Sequence, residues 1–368
     1  MNRRKVEADY VGLLRASLWG GVAPEAPSEP VAVLQLADSQ KTVPLIGDAF
    51  ARCGCDPGGR AAHLLSSIMA TTVYNRSMLE REIADICSML DGHGIRAVLL
   101  KGQGLARWYP SADLRECGDI DLWVPEKDYA RACELLLEFE QGLGEVSVSQ
   151  KSEKHFRVQR RYVVVELHRR AEVLSSARRD AFYSAVELEG LMSGVVMQDF
   201  CGVQVATPAD TFNAFYVFLH AWNHFTGFGV GLRQVCDWAL LLHARGRELQ
   251  VGVLQGWLEE LGLMRAWQVF GALAVDCLGM PAGEMPFYSA RYARRGRRLL
   301  RLILREGNFG KERSVRKNRP RRALERKART VSALFGRMFR LLPVFPLLGF
   351  SLLLRGLGGG VRKLAEGR

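Results

Sequence analysis

The stretch GIRAVLLKGQGLARWYPSADLRECGDIDLWV, residues 94–124, decides the fold class. It holds two short apolar segments of strand type, 95–100 and 119–124, with Lys101, Gly102 and Gly104 after the first and Pro125 ending the second. Working outward, residues 126–139 are helical in pattern. The segments HFRVQ (155–159) and YVVVELH (162–168) then flank Arg160 and Arg161 as a hairpin, its second arm marked by a β-branched run. Upstream, residues 64–90 place apolar side chains three and four apart over nearly the whole stretch, the spacing of a long amphipathic helix. Downstream, Thr207-Pro208-Ala209-Asp210 has the form of a helix start, with Thr as N-cap and Pro at the first position. Further helices are expected within 232–245 and 253–279.

These patterns predict an α/β chain of the α+β kind. A small mixed sheet spanning about 95–170 is flanked by helical regions on both sides. Four regions are expected: N-terminal helices in 1–92, a sheet-bearing core in 93–200, a helical lobe in 201–290 and a basic, amphipathic tail in 291–368.

Side chains two apart on a strand share a face, so Asp119 and Asp121 point one way while Ile120 and Leu122 point into the core. Two carboxylates side by side resist ionising together unless a cation lies between them, and hard oxygen donors suit Mg2+ or Mn2+, ions that bring phosphates with them. The same parity groups Tyr162, Val164, Glu166 and His168 on one face of the hairpin's second arm. Two readings of Glu166 stand: a third carboxylate of the cation site, or the partner of a nearby Arg. Lys101 and Gly102 offer a charge and an approachable backbone to an anion, although a strand followed by Lys and Gly is also an ordinary turn. His220 and His224, four apart on one helical face, have the spacing of a zinc pair but no third ligand, and fit a core or pocket wall as well. Arg233 and Asp237 have the spacing of an i,i+4 helical pair.

Charge is unevenly distributed. Residues 291–330 hold 17 Lys or Arg against 3 Glu and residues 331–368 add a net +5, which leaves −7 for the first 290 residues of a chain whose total is +12. Only the tail therefore attracts phosphate, and its apolar run at 341–354 suits either an anionic membrane surface or a set of closing helices. That run contains Pro343 and Pro346 and is shorter than the roughly 20 residues that span a bilayer. Aromatic side chains are sparse among the arginines, which makes nucleic acid the weaker fit. The eight cysteines lack the density of a secreted disulfide scaffold, and Cys53-Gly54-Cys55 has no second pair at zinc spacing. The N-terminus lacks a signal-peptide pattern, so a cytoplasmic location is expected, with membrane association left to the tail.

The run of residues 94–124, with its strand ending in Lys-Gly, its Tyr-Pro and Arg, and its Gly-Asp-x-Asp opening the next strand, resembles a broad bacterial family of uncharacterised nucleotidyltransferases. The likeness extends over most of residues 10–245, through the strand ending in Glu-Leu-His and the helices bearing His220, Arg233 and Asp237. The resemblance implies a nucleotidyltransferase core in which Asp119, Asp121 and Glu166 hold Mg2+ or Mn2+. It further implies that Glu166 activates the acceptor while Lys101, Gly102 and Arg115 contact a nucleoside triphosphate. His168, His220, His224 and Arg233 then border an acceptor pocket. Lys101-Gly102 stands where most of the superfamily has Gly-Ser, so charge replaces a hydroxyl contact. The 17-position gap from Gly102 to Asp119 leaves a loop with Trp108, Tyr109 and Arg115 available to the pocket. Two other readings are a non-catalytic relative that binds membrane or RNA through its tail, and a phosphotransferase acting on a small molecule.

Overall fold

The computed structural model describes residues 2–21, 25–141, 147–151, 155–159, 163–227, 229–308, 339–346 and 348. Four helices come first: α1 (Arg3–Trp19), α2 (Pro30–Gln40), α3 (Val43–Cys53) and the 34-residue α4 (Gly59–Gly92). After them come β1 (Val98–Leu99), the short α5 (Gln103–Ala106), β2 (Asp119–Trp123), α6 (Glu126–Gln141), β3 (Ser147–Lys151), β4 (His155–Gln159) and β5 (Val164–His168). Next are α7 (Ala177–Met192), β6 (Val195–Phe200) and β7 (Val203–Pro208), and then helices α8 (Asp210–Gly227), α9 (Leu232–Arg245), α10 (Val251–Glu260), α11 (Met264–Asp276) and α12 (Ala293–Glu306). The expected α+β class holds. All eight cysteines are free thiols.

The seven strands among the described residues form one mixed sheet in the order β3-β4-β5-β2-β1-β7-β6. At its centre β2 runs parallel to β5 and antiparallel to β1, and the hairpin expected around Arg160 is the antiparallel pair β4/β5. The parity of β2 and β5 separates their side chains as the sequence predicts. Ile120, Leu122, Val165 and Leu167 are buried with Leu79, Ile83, Ile86 and Leu90 of α4 and with Leu135 and Leu136 of α6. The opposite face carries Asp121, Glu166 and His168. A larger apolar core joins α1–α3 with the helical lobe, so residues near the N-terminus and the late helices share one interior.

Three strands were not foreseen, namely β3, which pairs with β4 at one edge of the sheet, and the two arms of a later hairpin. Residues 195–208 form the hairpin β6/β7, whose pairing of Phe200 with Val203 leaves Cys201 and Gly202 as a two-residue turn, both with positive φ (52° and 86°). The expected helix start at Thr207 is corrected accordingly. Thr207 and Pro208 end β7, the helix begins at Asp210, and the Thr207 hydroxyl bonds the Val196 carbonyl across the hairpin at 2.9 Å instead of capping.

The long loop between Gly102 and Asp119 is pinned inward. Arg115 donates from Nε and Nη2 to the two carboxylate oxygens of Asp237 at 2.8 and 2.9 Å, and the Tyr109 hydroxyl donates to the same carboxylate at 2.7 Å, all three side chains being buried. The Asp237 partner is thus Arg115 of the loop and not Arg233, whose Nη1 donates to the Glu116 carbonyl at 2.7 Å. Removing one member of a buried ion pair strands the other charge away from water. Asp237→Ala is therefore expected to cost about 3–5 kcal/mol in urea unfolding, and a loss under about 1 kcal/mol would show that the loop is held by other contacts.

Candidate active site

Asp121 is the centre of the site. It lies in β2 opposite Glu166 of β5 in a parallel register, and two residue pairs further on Trp123 stands opposite His168. Its side chain is 1% exposed, a costly place for a carboxylate. Two cationic or polar groups meet it: Lys101 Nζ forms an ion pair with Oδ2, and His168 Nε2 donates to Oδ1 at 3.0 Å. His168 Nε2 also lies 3.6 Å from Glu166 Oε2, while Arg157 Nε stands 3.7 Å from Glu166 Oε1.

Burial alone would push the Asp121 carboxyl up, but the Lys101 charge and the His168 hydrogen bond hold it well below the usual carboxylate range. Glu166 moves the other way. Burial and the neighbouring Asp121 charge raise it, and Lys101 and His168 offset this only in part. Burial would release the Lys101 proton, but Asp121 and Asp119 outweigh it and raise the ammonium above its ordinary value. The result is an ionised carboxylate, a carboxyl held nearer neutrality and a firmly charged lysine in one small space.

Lys101 reaches back to Asp121 because of Gly102, whose backbone sits at φ +65° and ψ −124°. A Cβ there would lie 3.3 Å from Cys117 Sγ and 3.5 Å from the Asp119 carbonyl oxygen, in a conformation that side-chain-bearing residues rarely adopt. The amides of Gly104 and Leu105 bond the carbonyls of Lys101 and Gly102, which makes a closed turn of the segment.

Asp121, Glu166 and His168 each offer a ligand atom, all within 4.8 Å of one another, and they are the one such group among the described residues. A divalent ion could do for Asp121 what the Lys101 ammonium and the Nε2 proton do here, which is the sense in which these side chains fit a metal. An imidazole beside two carboxylates suits Mn2+ somewhat better than Mg2+, which prefers oxygen donors throughout. Of the expected carboxylates, Asp119 lies outside this close group. It pairs with Val164 in the register, is less buried, and acts on Lys101 and Glu166 through its charge. His168, expected to border the acceptor, joins the carboxylates instead. Cys53 and Cys55 form no metal-ligand group among the described residues.

Arg115, expected to contact phosphate, donates from Nε and Nη2 to Asp237 and has only Nη1 without a partner, and Tyr109 turns inward with it. His220 donates from Nδ1 to Glu172 Oε1 at 2.8 Å, Asn223 donates to Oε2 at 3.1 Å, and the His220 and His224 rings are 4.4 Å apart. No third ligand joins the two histidines among the described residues, so they form no metal-ligand group there. Burial and the Lys101 charge lower the His220 pKa, with Glu172 opposing, so the imidazole is within electrostatic reach of the metal-type cluster. Tyr216, one helical turn before His220, is fully buried and feels Glu172, Asp121 and Glu166. Sequence reasoning missed Glu172 and Tyr216. Neither stands in a periodic pattern that separates it from core or surface, and the only local hint is that Glu172 follows His168 by four residues at the end of β5.

The family model described as "Uncharacterised nucleotidyltransferase" matches residues 26–279 of the chain. No curated protein matches it. On the geometry alone, Asp121→Asn is expected to weaken Mn2+ binding by at least about tenfold in calorimetry, and Lys101→Met to tighten it by removing a competing cation. Equal affinity in all three proteins would show that this group does not hold the ion.

Proposed function

The chain belongs to this uncharacterised nucleotidyltransferase family, and from that membership and the grouping of Asp121, Glu166 and His168 we propose a metal-dependent transfer of a nucleoside monophosphate. The donor is a nucleoside triphosphate and the acceptor presents a hydroxyl or phosphate oxygen. The observation that carries this reading is one buried, ionised carboxylate flanked by a second carboxyl, an imidazole and a lysine on one face of the sheet.

In the proposed reaction the acceptor oxygen bonds to the α-phosphorus while the bond to the bridging oxygen breaks and pyrophosphate leaves. A bound Mg2+ or Mn2+ supplies positive charge against the phosphate oxygens. Asp121, Glu166 and His168 hold that ion, with Asp119 contributing charge at the rim. Lys101, released from Asp121, neutralises the triphosphate, and Gly102 allows close backbone approach. The resemblance assigns acceptor activation to Glu166; with Glu166 among the metal donors, we assign the proton to His220. Glu172 fixes Nδ1 of His220 as the protonated nitrogen, which leaves Nε2 as the acceptor. A lowered pKa keeps that nitrogen unprotonated near neutral pH.

Incubation with each nucleoside triphosphate, Mg2+ or Mn2+ and a panel of sugars, lipid head groups and aminoglycosides is expected to release pyrophosphate. Asp121→Ala should lower that rate on the order of a thousandfold. Undiminished turnover in the variant removes the assignment, and nucleoside diphosphate in place of pyrophosphate would identify a phosphotransferase.

The sign of the pH dependence follows from His220. A base with a lowered pKa loses activity only as pH falls through that lowered value, so the acid limb of kcat should lie below the ordinary imidazole value of about 6.5. His220→Gln should erase this limb and reduce kcat by about a hundredfold while leaving Mn2+ binding intact. An unchanged profile would return the proton to Glu166.

A further inference from the structure

Helix α12 has one face in the core and the other made of arginine. Leu299, Leu302, Ile303 and Leu304 are buried, and Gly296 lies so close to α11 that a Cβ would meet the Ala272 and Leu273 backbone at 2.8 Å. The helix is therefore fixed, and its outer row, Arg294, Arg297, Arg298, Arg301 and Arg305, is held in place by that packing. The spacing of three and four puts all five on one face. Its sole acid, Glu306 at the last position, is bonded to Arg340 at 3.2 Å.

The row borders a shallow groove of about 400 Å³ between α1 and α12, to which Arg15 adds a third guanidinium beside Arg297 and Arg301. Its apolar lining is aliphatic: Val11, Leu300 and Leu304. The two acids at the groove already have partners, Glu7 with Arg3 at 2.7 Å and Asp276 with the Tyr288 hydroxyl at 3.1 Å. Residues 339–346 bind to the same helix through Arg298, which donates to the Pro343 carbonyl at 3.2 Å, and through Arg340. Leu341, Val344 and Phe345 enter the core, while Phe339 is 64% exposed.

We propose that this face, the arginine row of α12 with the α1 groove and Phe339, docks on an anionic phospholipid surface. Guanidinium groups pair with head-group phosphates bidentately, and an exposed phenyl beside them enters the interfacial layer. The chemistry favours lipid over nucleic acid. Residues 291–330 contain two aromatic residues, Tyr292 and Phe309, and Tyr292 is buried, so base stacking has little to use, whereas the chain from 341 to 354 carries no charge and is rich in Leu and Phe. No helix among the described residues is long and apolar enough to cross a membrane. The face shares no residue with the Asp121 site, and the proposal stands or falls independently of the nucleotidyl transfer.

The test is flotation of the full-length protein with vesicles of neutral phosphatidylcholine or with about 30 mol% phosphatidylglycerol added, across a salt series. The expected result is capture by the anionic vesicles alone, falling as salt rises. The triple variant Arg294→Glu/Arg297→Glu/Arg301→Glu should bind at least about tenfold more weakly, with an unchanged circular dichroism spectrum. Phe339→Ser should weaken the salt-resistant part of binding severalfold. Should the triple variant fail to fold, Arg297→Gln and Arg301→Gln separately keep the test, each expected to lose binding severalfold. Wild-type binding by these variants, equal capture by neutral vesicles, or tighter binding to a single-stranded RNA than to the anionic vesicles would each overturn the proposal.

Discussion

A carboxylate that must stay ionised inside the protein sets the arrangement around it. Asp121 has almost no contact with water, and an unpaired charge there would protonate or unfold its surroundings. Lys101 and His168 prevent this, and each depends on a feature of the backbone. The left-handed turn at Gly102 directs Lys101 back onto β2, while the parallel register of β2 and β5 delivers Glu166 and His168 to the same face. A one-residue slip of β5 would move both to the apolar side and seat Val165 and Leu167 against Asp121.

Further ion pairs tie the helical lobe to the sheet, join its helices and fix the chain after β5. Arg115 joins the loop before β2 to Asp237 of α9, and Arg245 at the end of α9 joins Asp210 at the start of α8 at 2.7 Å. Arg170, just past β5, meets Asp180 and Glu187 of α7 at 3.2 and 3.5 Å, and the Ala171 amide donates to Glu187 at 3.0 Å. These bonds fix the exit of the chain from β5 and thereby the place of Glu172, which in turn orients His220. Within surface ion pairs such contacts would contribute little, but partial burial makes their geometry matter.

Much of this was legible because strands have a period of two. Parity alone sorts Asp121, Glu166 and His168 from Ile120, Leu122, Val165 and Leu167, and the long apolar repeat identifies α4. Parity does not say how far along the face a side chain sits, which is why Asp119 was grouped with Asp121 although it lies outside the close set. The β6/β7 hairpin escaped for a different reason. Its two-residue turn uses Cys201 and Gly202 where Asn-Gly or Asp-Gly would give the usual signal, and Thr207-Pro208 imitates a helix cap. Arg115 and Asp237 are 122 positions apart, and no local pattern relates them. In its place the i,i+4 spacing of Arg233 and Asp237 suggested a pairing that the tertiary structure does not make.

The Lys101 and Asp121 pair also bears on how the proposed substrates bind. In the proposed reaction a divalent ion at Asp121 would take the place of the ammonium, and Lys101, only partly exposed and strongly favoured as a cation, would then lack its anion. Binding of the ion alone would therefore exchange one favourable contact for another and leave a poorly solvated charge behind. A triphosphate arriving with the ion would supply the missing anion, so each ligand would remove the cost the other incurs. That would be positive coupling between ion and nucleotide, equal in both directions by linkage. On this reasoning Lys101 would be more than a phosphate contact: it keeps Asp121 ionised and would tie release of that carboxylate to the arrival of the nucleotide.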